Sequence, residues 1–473
     1  MLRTAWQKIS RVRSQLKTRT TMVINKTNAY GITCLVVVAF GCGVPERPKV
    51  IAISKPPDFR PSSPKEVQTV EQAMAAIITV CRDDLGLVIV DPLYVYLYKN
   101  TSSFAFYGFG WTTLPFDVAN LVASAAGNRL DVNLEKTTDR LWGTLLPVLA
   151  HEYGHNIHYG LVGGNLRGTR WFTEGFGDWV ATRVLDALGW QSYAVILHRV
   201  RREITHHRNL GLKLSWLRSS RDWESVLQKP KGYIRTYGLA LVAVDRVIEE
   251  KGLASAVKYL KSGDFAGSFG VSHNDFEADF ESSVLKSERQ QNNNFSIPKP
   301  QWKLGDQWTY EEVRPGKKAT VVKQIIKEAF YNGVAAFVVK VENEEGFYTK
   351  ESLGLVATAK DGKLSTNRDK PNEFFAWPLE AAKGWRNTYT LKDLERKETA
   401  VIDRLMVVPN MEEVRVPAGT FKAAKIEAYD NESGRLDAEY WYSPTAKWFV
   451  KSINYGGGDG FVREQQLLSF KVD

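Results

Sequence analysis

Residues 147–180 read PVLAHEYGHNIHYGLVGGNLRGTRWFTEGFGDWV, and this stretch decides the fold and the chemistry that the sequence predicts. It contains an HExxH motif formed by His151, Glu152 and His155. Because residues four apart lie on one face of a helix, the two imidazoles can bind one zinc ion. Glu152 is rotated away from the helix face that carries the two histidines, and it lies beside the open side of the metal. There it can take a proton from the attacking water and pass it to the leaving amine.

The motif alone leaves an alternative open, because HExxH strings also occur by chance in long proteins. The alternative is a helix whose two histidines are only solvated. The apolar run LLPVLA at residues 145–150 argues against it, since it predicts that the helix, placed over residues 138–160, is buried. Two imidazoles and a carboxylate inside a core need a partner that offsets their desolvation, and a metal ion provides one. Pro147 either kinks this helix or lies in the first turn of the motif helix.

A glutamate in a characteristic setting is the third candidate ligand. Glu174 follows His155 after 18 residues, within the sequence WFTEGFGD at residues 171–178. This spacing and setting resemble the gluzincin metallopeptidases, and within them the peptidase-MA-like and aminopeptidase branches. The resemblance covers about residues 67–290. It implies an α+β, thermolysin-like catalytic domain in which Glu174 and the two motif histidines bind one Zn²⁺ per chain. The histidine extension of the metzincins does not follow the motif.

The same resemblance implies roles for two further residues. Asp178 lies one helical turn after Glu174, where thermolysin-like relatives have a carboxylate that orients a ligand histidine. An ordinary surface aspartate is the other interpretation. In the aminopeptidase branch, a tyrosine that opens a later helix donates a hydrogen bond to the oxyanion. Tyr237, 63 residues after Glu174, fits that position. Tyr233 is the second choice, and a packing role for Tyr237 is the alternative.

The other candidate side chains have mainly structural interpretations. His206, His207 and His273 could serve as oxyanion donors, but the first two lie in a basic stretch that predicts exposure. His158 follows the motif by three residues and is expected to be a flanking polar side chain and not a ligand. Cys81 is expected to be buried, as free cysteines usually are.

Changes in sequence pattern divide the chain into domains. Residues 67–287 combine helical patterns with a few strand-like runs and form the predicted peptidase domain. A polar linker over residues 288–300 leads to residues 301–473, where short alternating apolar runs are separated by turns. This second pattern predicts an all-β sandwich or open-barrel domain. In the first domain, NRLDVNLE at residues 128–135 is the strand expected at the sheet edge, where an extended substrate could pair with it.

The N-terminus resembles an export signal, predicted over residues 1–41, with Met22 as the predicted true start. Its apolar run is too short to span a bilayer as a helix. It ends in AFGC at residues 39–42, which resembles the lipobox of bacterial lipoproteins and implies that Cys42 is lipidated. Residues 42–66 are rich in proline, serine and charge and are predicted to form a tether. The alternative is an uncleaved N-terminal anchor.

Charge and composition narrow the class of function. The formal net charge is +10, but seven lysines and arginines and no acidic residue fall in residues 1–41, so the rest of the chain carries only +3. Because the rest of the chain is so close to neutral, it lacks the strong positive charge typical of a nucleic-acid-binding protein. No nucleic-acid partner is predicted.

The predicted function is therefore that of a zinc-dependent peptidase with a peptide or protein substrate. The enzyme is expected to be exported to the cell envelope and held at a membrane by its lipid anchor. Aminopeptidase specificity is not predicted, because no loop of the Gly-Ala-Met-Glu-Asn type, which holds a free α-amine, precedes the motif. The alternative function is that of a binding or scaffold lipoprotein with an idle zinc fold. The intact Glu152 favours the enzyme.

Overall fold

The computed structural model describes residues 45–53, 58–62, 66–87, 92–109, 123–137, 141–211, 213–285, 295–456 and 462–473. The predicted signal peptide, the proposed start at Met22 and the lipidation site Cys42 lie outside these residues. The described chain forms a mainly helical part with a small sheet, followed by a C-terminal part built from β-strands. Each part has its own cluster of buried apolar side chains.

A four-stranded sheet belongs to the helical part. Its strand order is β1-β2-β4-β3, with β2 and β4 parallel and the other pairs antiparallel. The strands are β1 (Lys49–Ile53), β2 (Leu93–Tyr98), β3 (Ala123–Ala126) and β4 (Arg129–Asn133).

This sheet differs from the sequence prediction in two places. The segment 128–135 was expected at the sheet edge, but β4 within it pairs with β2 on one side and β3 on the other. That prediction is wrong, and β1 and β3 are the edge strands among the described residues. In addition, β1 lies inside the predicted tether of residues 42–66 and pairs with β2. Both differences concern which distant strands share backbone hydrogen bonds, and local sequence patterns do not encode this.

Helices surround the sheet and make most of the first core. Among the described helices, none is both long enough and apolar enough to cross a lipid bilayer. The longer helices are α1 (Val70–Asp83), α2 (Leu141–Val162), α3 (Arg170–Ala187), α4 (Tyr193–His206), α5 (Ser220–Leu227), α6 (Leu239–Lys251), α7 (Leu253–Ser262), α8 (Phe265–Phe269) and α9 (His273–Leu285). Short helical turns occur at Thr101–Ser103, Phe104–Gly108, Leu134–Thr137, Arg208–Leu210, Leu214–Leu217 and Ile234–Gly238.

Local sequence explains where two of these helices lie. Before α1, the Thr69 hydroxyl accepts a hydrogen bond from the backbone N–H of Gln72, and the Gln72 side chain accepts one from the N–H of Thr69. This reciprocal cap fixes the start of α1. The motif helix α2 continues through Pro147, six residues after its first residue. Proline at this depth costs one backbone hydrogen bond but does not end the helix.

The C-terminal part is a sheet that closes on itself. Twelve of its described strands follow the order β14-β13-β11-β10-β9-β8-β7-β6-β19-β18-β17-β16, and β16 pairs back to β14. The sandwich or open barrel predicted from the sequence is therefore replaced by a closed barrel. β15 pairs with the first half of β16, whose last residues pair with β14. β5 and β12 form a separate pair. The strands are β5 (Ser296–Ile297), β6 (Gln307–Arg314), β7 (Lys317–Tyr331), β8 (Val334–Val341), β9 (Glu344–Thr349), β10 (Leu355–Lys360), β11 (Lys363–Asn372), β12 (Leu379–Glu380), β13 (Gly384–Asp393), β14 (Glu398–Val407), β15 (Met411–Val416), β16 (Gly419–Asp430), β17 (Leu436–Ser443), β18 (Trp448–Asn454) and β19 (Arg463–Lys471).

The two parts meet through a charged contact between α4 and the strands β16 and β17. Arg202 donates from Nε to Glu427 Oε1 over 2.8 Å, and His198 Nε2 lies 3.0 Å from Glu439 Oε2. Lys425, from β16, pairs with Glu439 at 2.5 Å. The carboxylates of Glu427 and Glu439 are buried, so each needs these cationic partners to offset its desolvation.

Candidate metal centre

The helices α2 and α3 bring the three predicted zinc ligands together. His151 and His155 lie one turn apart on α2, with their Nε2 atoms 3.1 Å from each other. From α3, Glu174 places one carboxylate oxygen 3.5 Å from His151 Nε2 and the other 3.5 Å from His155 Nε2. One donor atom from each residue lies within 4.8 Å of the others. The site is enclosed, since His155 and Glu174 are buried.

Glycines allow the helices to approach this closely. A Cβ atom on Gly177 would lie 2.9 Å from His151 Cε1, and one on Gly154 would lie 3.0 Å from the Cα of Gly177. Next to Glu174, a Cβ on Gly175 would lie 2.4 Å from the carbonyl oxygen of Ala240 on α6. The glycines of the WFTEGFGD stretch therefore let α3 pack against α2 on one side and α6 on the other.

Neighbouring charged groups hold two of the candidate ligands, His151 and Glu174. Asp178 Oδ1 lies 2.7 Å from His151 Nδ1, which leaves Nε2 of the same ring facing the other ligands. Arg170, one turn before Glu174 on α3, pairs with Glu174 Oε1 at 2.9 Å. Asp178 was predicted from the sequence, but Arg170 was not. The signal was available, because residues four apart share a helix face.

The charges at the cluster shift the pKa values of the ligands in opposite directions. Burial of His151 disfavours its charged form, but the carboxylates of Asp178 and Glu174 outweigh this effect and raise its pKa well above the ordinary value. Burial also disfavours the charged form of Glu174, but His155, His151 and Arg170 hold its pKa well below the usual range. The pocket therefore favours positive charge beside a carboxylate that stays ionised, which suits a cation.

Tyrosines line the side of the cluster that faces the start of α6. The ring of Tyr237 lies 6.1 Å from the ring of His151, and it packs edge-on against Trp223 at 4.9 Å. Burial, together with the charges of Glu174 and Asp178, raises the pKa of Tyr237 well above its ordinary value. Tyr233, the second choice from the sequence, stacks on Tyr237 at 5.1 Å and is half exposed.

Glu152 is half-buried next to His151 on α2. Its charge contributes to the raised pKa of Tyr237 and, after burial, to that of Tyr159. The carboxylate thus belongs to the same electrostatic environment as the three ligands.

The remaining histidines lie away from the cluster and have structural contacts. His206 stacks on Tyr429 of the barrel at 3.9 Å, and His207 Nε2 lies 2.8 Å from the carbonyl oxygen of Gly434. His207 is buried, so the expected exposure of this basic stretch is wrong, because the barrel covers it. His273 stacks on Phe265 at 4.0 Å.

Two further predictions concern buried side chains. His158, expected to be a polar residue beside the motif, is buried, and its Nε2 lies 3.1 Å from the carbonyl oxygen of Leu260 on α7. It connects two helices. Cys81 is fully buried in α1, which confirms its predicted structural role.

Comparison with known proteins adds little to this site. No protein-family model matches the chain, and no curated protein matches it. Three solved structures are similar to part of it. A candidate lipoprotein from Parabacteroides distasonis is 13% identical, with 37% of this chain and 100% of that chain covered and a TM-score of 0.21. A candidate exported protein with a YmcC-like fold from Bacteroides fragilis is 16% identical, with coverages of 37% and 100% and a TM-score of 0.24.

The third structure is that of the hypothetical lipoprotein YmcC from Escherichia coli, at 9% identity, with 35% of this chain and 85% of that chain covered and a TM-score of 0.22. At TM-scores this low, the three similarities support no argument about this chain. The resemblance to gluzincins rests on the sequence motifs. The geometry of the cluster formed by His151, His155 and Glu174 is a separate observation.

Proposed function

We propose that the chain is a gluzincin-type, zinc-dependent peptidase that hydrolyses peptide bonds. The observation that carries this proposal is the convergence of His151, His155 and Glu174, whose nearest donor atoms are 3.1–3.5 Å apart. Two histidines and one carboxylate form the donor set of many catalytic zinc sites, which keep the fourth position for water or substrate.

The distances fit zinc as well as the residue types do. Tetrahedral zinc, with bonds of about 2.0–2.2 Å to nitrogen and oxygen, sets neighbouring donor atoms roughly 3.3–3.6 Å apart. The separations of 3.1, 3.5 and 3.5 Å are close to that spacing, with each imidazole nearest a different oxygen of Glu174, and one donor atom from each residue lies within 4.8 Å of the others. When bound there, zinc supplies a Lewis acid that polarises a carbonyl group and acidifies a water molecule.

The residues around the ligands have the remaining roles. The Glu152 carboxylate accepts a proton from the attacking water and passes it to the nitrogen of the leaving amine. The Tyr237 hydroxyl, whose pKa is raised, stays protonated at neutral pH and donates a hydrogen bond to the developing oxyanion. Asp178 holds the ring of His151 in the orientation that points Nε2 at the metal.

The edge strand β3 is the proposed site where an extended substrate adds to the sheet. The strand lies next to the motif helix. The Asn156 side chain of α2 also donates to the carbonyl oxygens of Gly127, in the turn after β3, and of Arg129, at the start of β4, over 2.8 and 3.0 Å. Within the described ranges of the chain, one edge of β3 has no strand partner, and its backbone groups are available for a peptide to pair with.

We further propose that the enzyme is exported by a bacterium and anchored at the cell envelope through a lipid on Cys42. The support is the lipobox-like sequence before Cys42. Labelled palmitate should be incorporated into the wild-type chain and not into Cys42→Ser. Incorporation that survives this substitution argues for a different anchor.

Profiling against a peptide library tests the proposed activity. The zinc-loaded wild type should cleave a subset of peptides, and Glu152→Gln should lose at least about 100-fold in rate, because the proton acceptor is gone. The variant keeps the size of the side chain, so its fold and zinc content serve as controls. Cleavage at the same rate by both proteins rejects the mechanism. Zinc binding without any cleavage by the wild type favours the idle scaffold.

A further inference from the structure

The hairpin between β16 and β17 reaches from the barrel to the zinc-bearing part. At its tip, the Gly434 carbonyl oxygen lies 2.8 Å from His207 Nε2. At the start of β17, the Leu436 backbone N–H donates to Glu203 Oε1 over 2.9 Å. Both contacts are buried, so the residue between them is held in place against the helical part.

That residue is Arg435, whose side chain is exposed and aimed at the tyrosines beside the metal centre. Its Cζ atom lies 5.5 Å from the ring centroid of Tyr233. Tyr233 stacks on Tyr237 with an interplanar angle of 22°, and Tyr237 packs against His151. Three successive contacts thus connect the barrel to a zinc ligand. An extended peptide advances about 3.3 Å per residue, so a substrate that runs from the metal toward Tyr233 reaches it within a few residues.

A second cation lies beside Arg435. The stem of Lys231 packs on the hairpin, since a Cβ on Gly434 would lie 2.7 Å from Lys231 Cδ. Within the described part of the chain, neither Lys231 nor Arg435 forms an ion pair with a carboxylate. The neighbouring acids have other partners: Glu203 lies 3.6 Å from Arg199, and Asp437 lies 2.9 Å from Arg404. Two cations and an exposed aromatic ring therefore flank the hairpin tip, and the carboxylate that interacts with Arg435 there is the buried Glu203, which already accepts a hydrogen bond from the Leu436 backbone N–H.

We propose that Lys231, Tyr233 and Arg435 form a subsite beside the candidate metal centre that binds a carboxylate of the substrate. The carboxylate belongs either to an acidic side chain or to the C-terminus of the peptide. A guanidinium group binds carboxylates in a bidentate manner, and the lysine adds a second charge. The inference rests on the proposed peptidase function and gives the barrel a role in it, because Arg435 is the barrel's contribution to substrate selection.

Matched peptides test the subsite. The parent is a neutral peptide with an amidated C-terminus that the wild type cleaves. One series carries a single glutamate moved through successive positions, and another peptide has a free C-terminal carboxylate. At least one carboxylate-bearing peptide should have a kcat/KM about tenfold above that of the parent, because a charged hydrogen bond is gained. Arg435→Gln should bring this ratio close to one, and Arg435→Lys should restore part of it.

Arg415→Gln is the matched control, since Arg415 is an exposed arginine of β15, in the same domain, with no contact to Tyr233. It should leave the ratio unchanged. Preference for the glutamate series identifies a side-chain carboxylate as the ligand, whereas preference for the free acid identifies the C-terminus. A ratio that Arg435→Gln does not change overturns the subsite and leaves the peptidase function standing.

A binding measurement tests the carboxylate subsite separately from the proposed peptidase activity. The same labelled peptides are titrated onto zinc-loaded Glu152→Gln, with and without Arg435→Gln, and followed by fluorescence anisotropy. About tenfold weaker binding of the carboxylate-bearing peptide to the double variant supports the subsite even if the wild type cleaves nothing. Equal binding to both proteins rejects the subsite whatever the wild type cleaves.

Discussion

At the scale of single residues, the candidate zinc ligands His151 and Glu174 are held in place by neighbouring charged side chains. Asp178 binds the ring nitrogen of His151 that faces away from the cluster, and Arg170 binds one oxygen of Glu174. Without such partners, a histidine ring can rotate and a carboxylate can point elsewhere. The affinity for zinc should therefore depend on side chains that do not touch the metal.

Replacing Asp178 tests this dependence. In Asp178→Asn the amide no longer carries the charge that favours the required tautomer of His151, and zinc affinity should fall about 10- to 100-fold. Competition with a fluorescent chelator measures the change. Asp186→Asn is the control on the same helix, because Asp186 caps the backbone N–H of Tyr193 and contacts no ligand. Equal zinc affinity in Asp178→Asn and wild type would show that the contact has no part in metal binding.

Sequence alone could locate the candidate ligands because helical spacing is regular. His151 and His155 at i and i+4 had to share a face once the helix formed, and the carboxylate of Asp178 was placed by the family resemblance. Arg435 could not be found in this way. It lies almost 200 positions beyond Tyr237 in the chain and reaches Tyr233 only because the barrel docks on α4.

At the scale of secondary-structure elements, the crossing of α3 and α6 positions Tyr237 beside the cluster. Tyr237 lies in the helical turn that leads into α6, and Gly175 lets α6 approach α3 next to Glu174. The close approach leaves no room for a side chain at residue 175. A methyl group there must push the two helices apart, since it would meet backbone atoms and not a flexible side chain.

Gly175→Ala should therefore destabilise the protein by about 1–3 kcal/mol, or more if α6 cannot shift. Urea unfolding followed by circular dichroism measures the free energy of unfolding. Gly164→Ala is the matched control, because a Cβ on Gly164 meets no atom within 4 Å. If both variants unfold at the urea concentration of the wild type, α3 and α6 do not approach closely enough to exclude a methyl group at residue 175.

The elements themselves were partly predictable. The apolar periodicity of α1 and of the motif helix follows from local sequence, and so does the alternation of the C-terminal strands. The pairing of β14 with β16 that closes the barrel, and the pairing of β1 with β2, depend on contacts between distant segments. No local pattern reports such contacts, so the sequence predicted a β domain without predicting its closure.

At the scale of the whole molecule, the contact between α4 and the barrel is sensitive to acid. Burial lowers the pKa of His206 to about 4 and also lowers that of His207, both at this contact. Glu439 keeps its charge through the same range: burial opposes ionisation, but His198 and Lys425 hold its pKa at about 2. Below the ordinary histidine pKa of 6.5, the unfolded chain takes up protons that the folded chain excludes.

The free energy of unfolding should therefore fall as the pH drops from about 6.5 toward 4, by up to about 3 kcal/mol for His206. His206→Phe keeps the stack on Tyr429 and removes the titration, so its melting temperature should fall less between about pH 7.5 and pH 5. Differential scanning calorimetry at both values measures the effect. An acid-induced decrease as large in His206→Phe as in the wild type would contradict the assignment to this residue.

The metal content of the purified protein tests the central claim most directly. After zinc loading and removal of free metal, mass spectrometry should find about one zinc per chain in the wild type and in Glu152→Gln, which is not a ligand variant. Glu174→Ala should lose most of the metal, because one of three protein ligands is gone. Less than about half an equivalent in the wild type, or an unchanged content in Glu174→Ala, would contradict a zinc site formed by His151, His155 and Glu174.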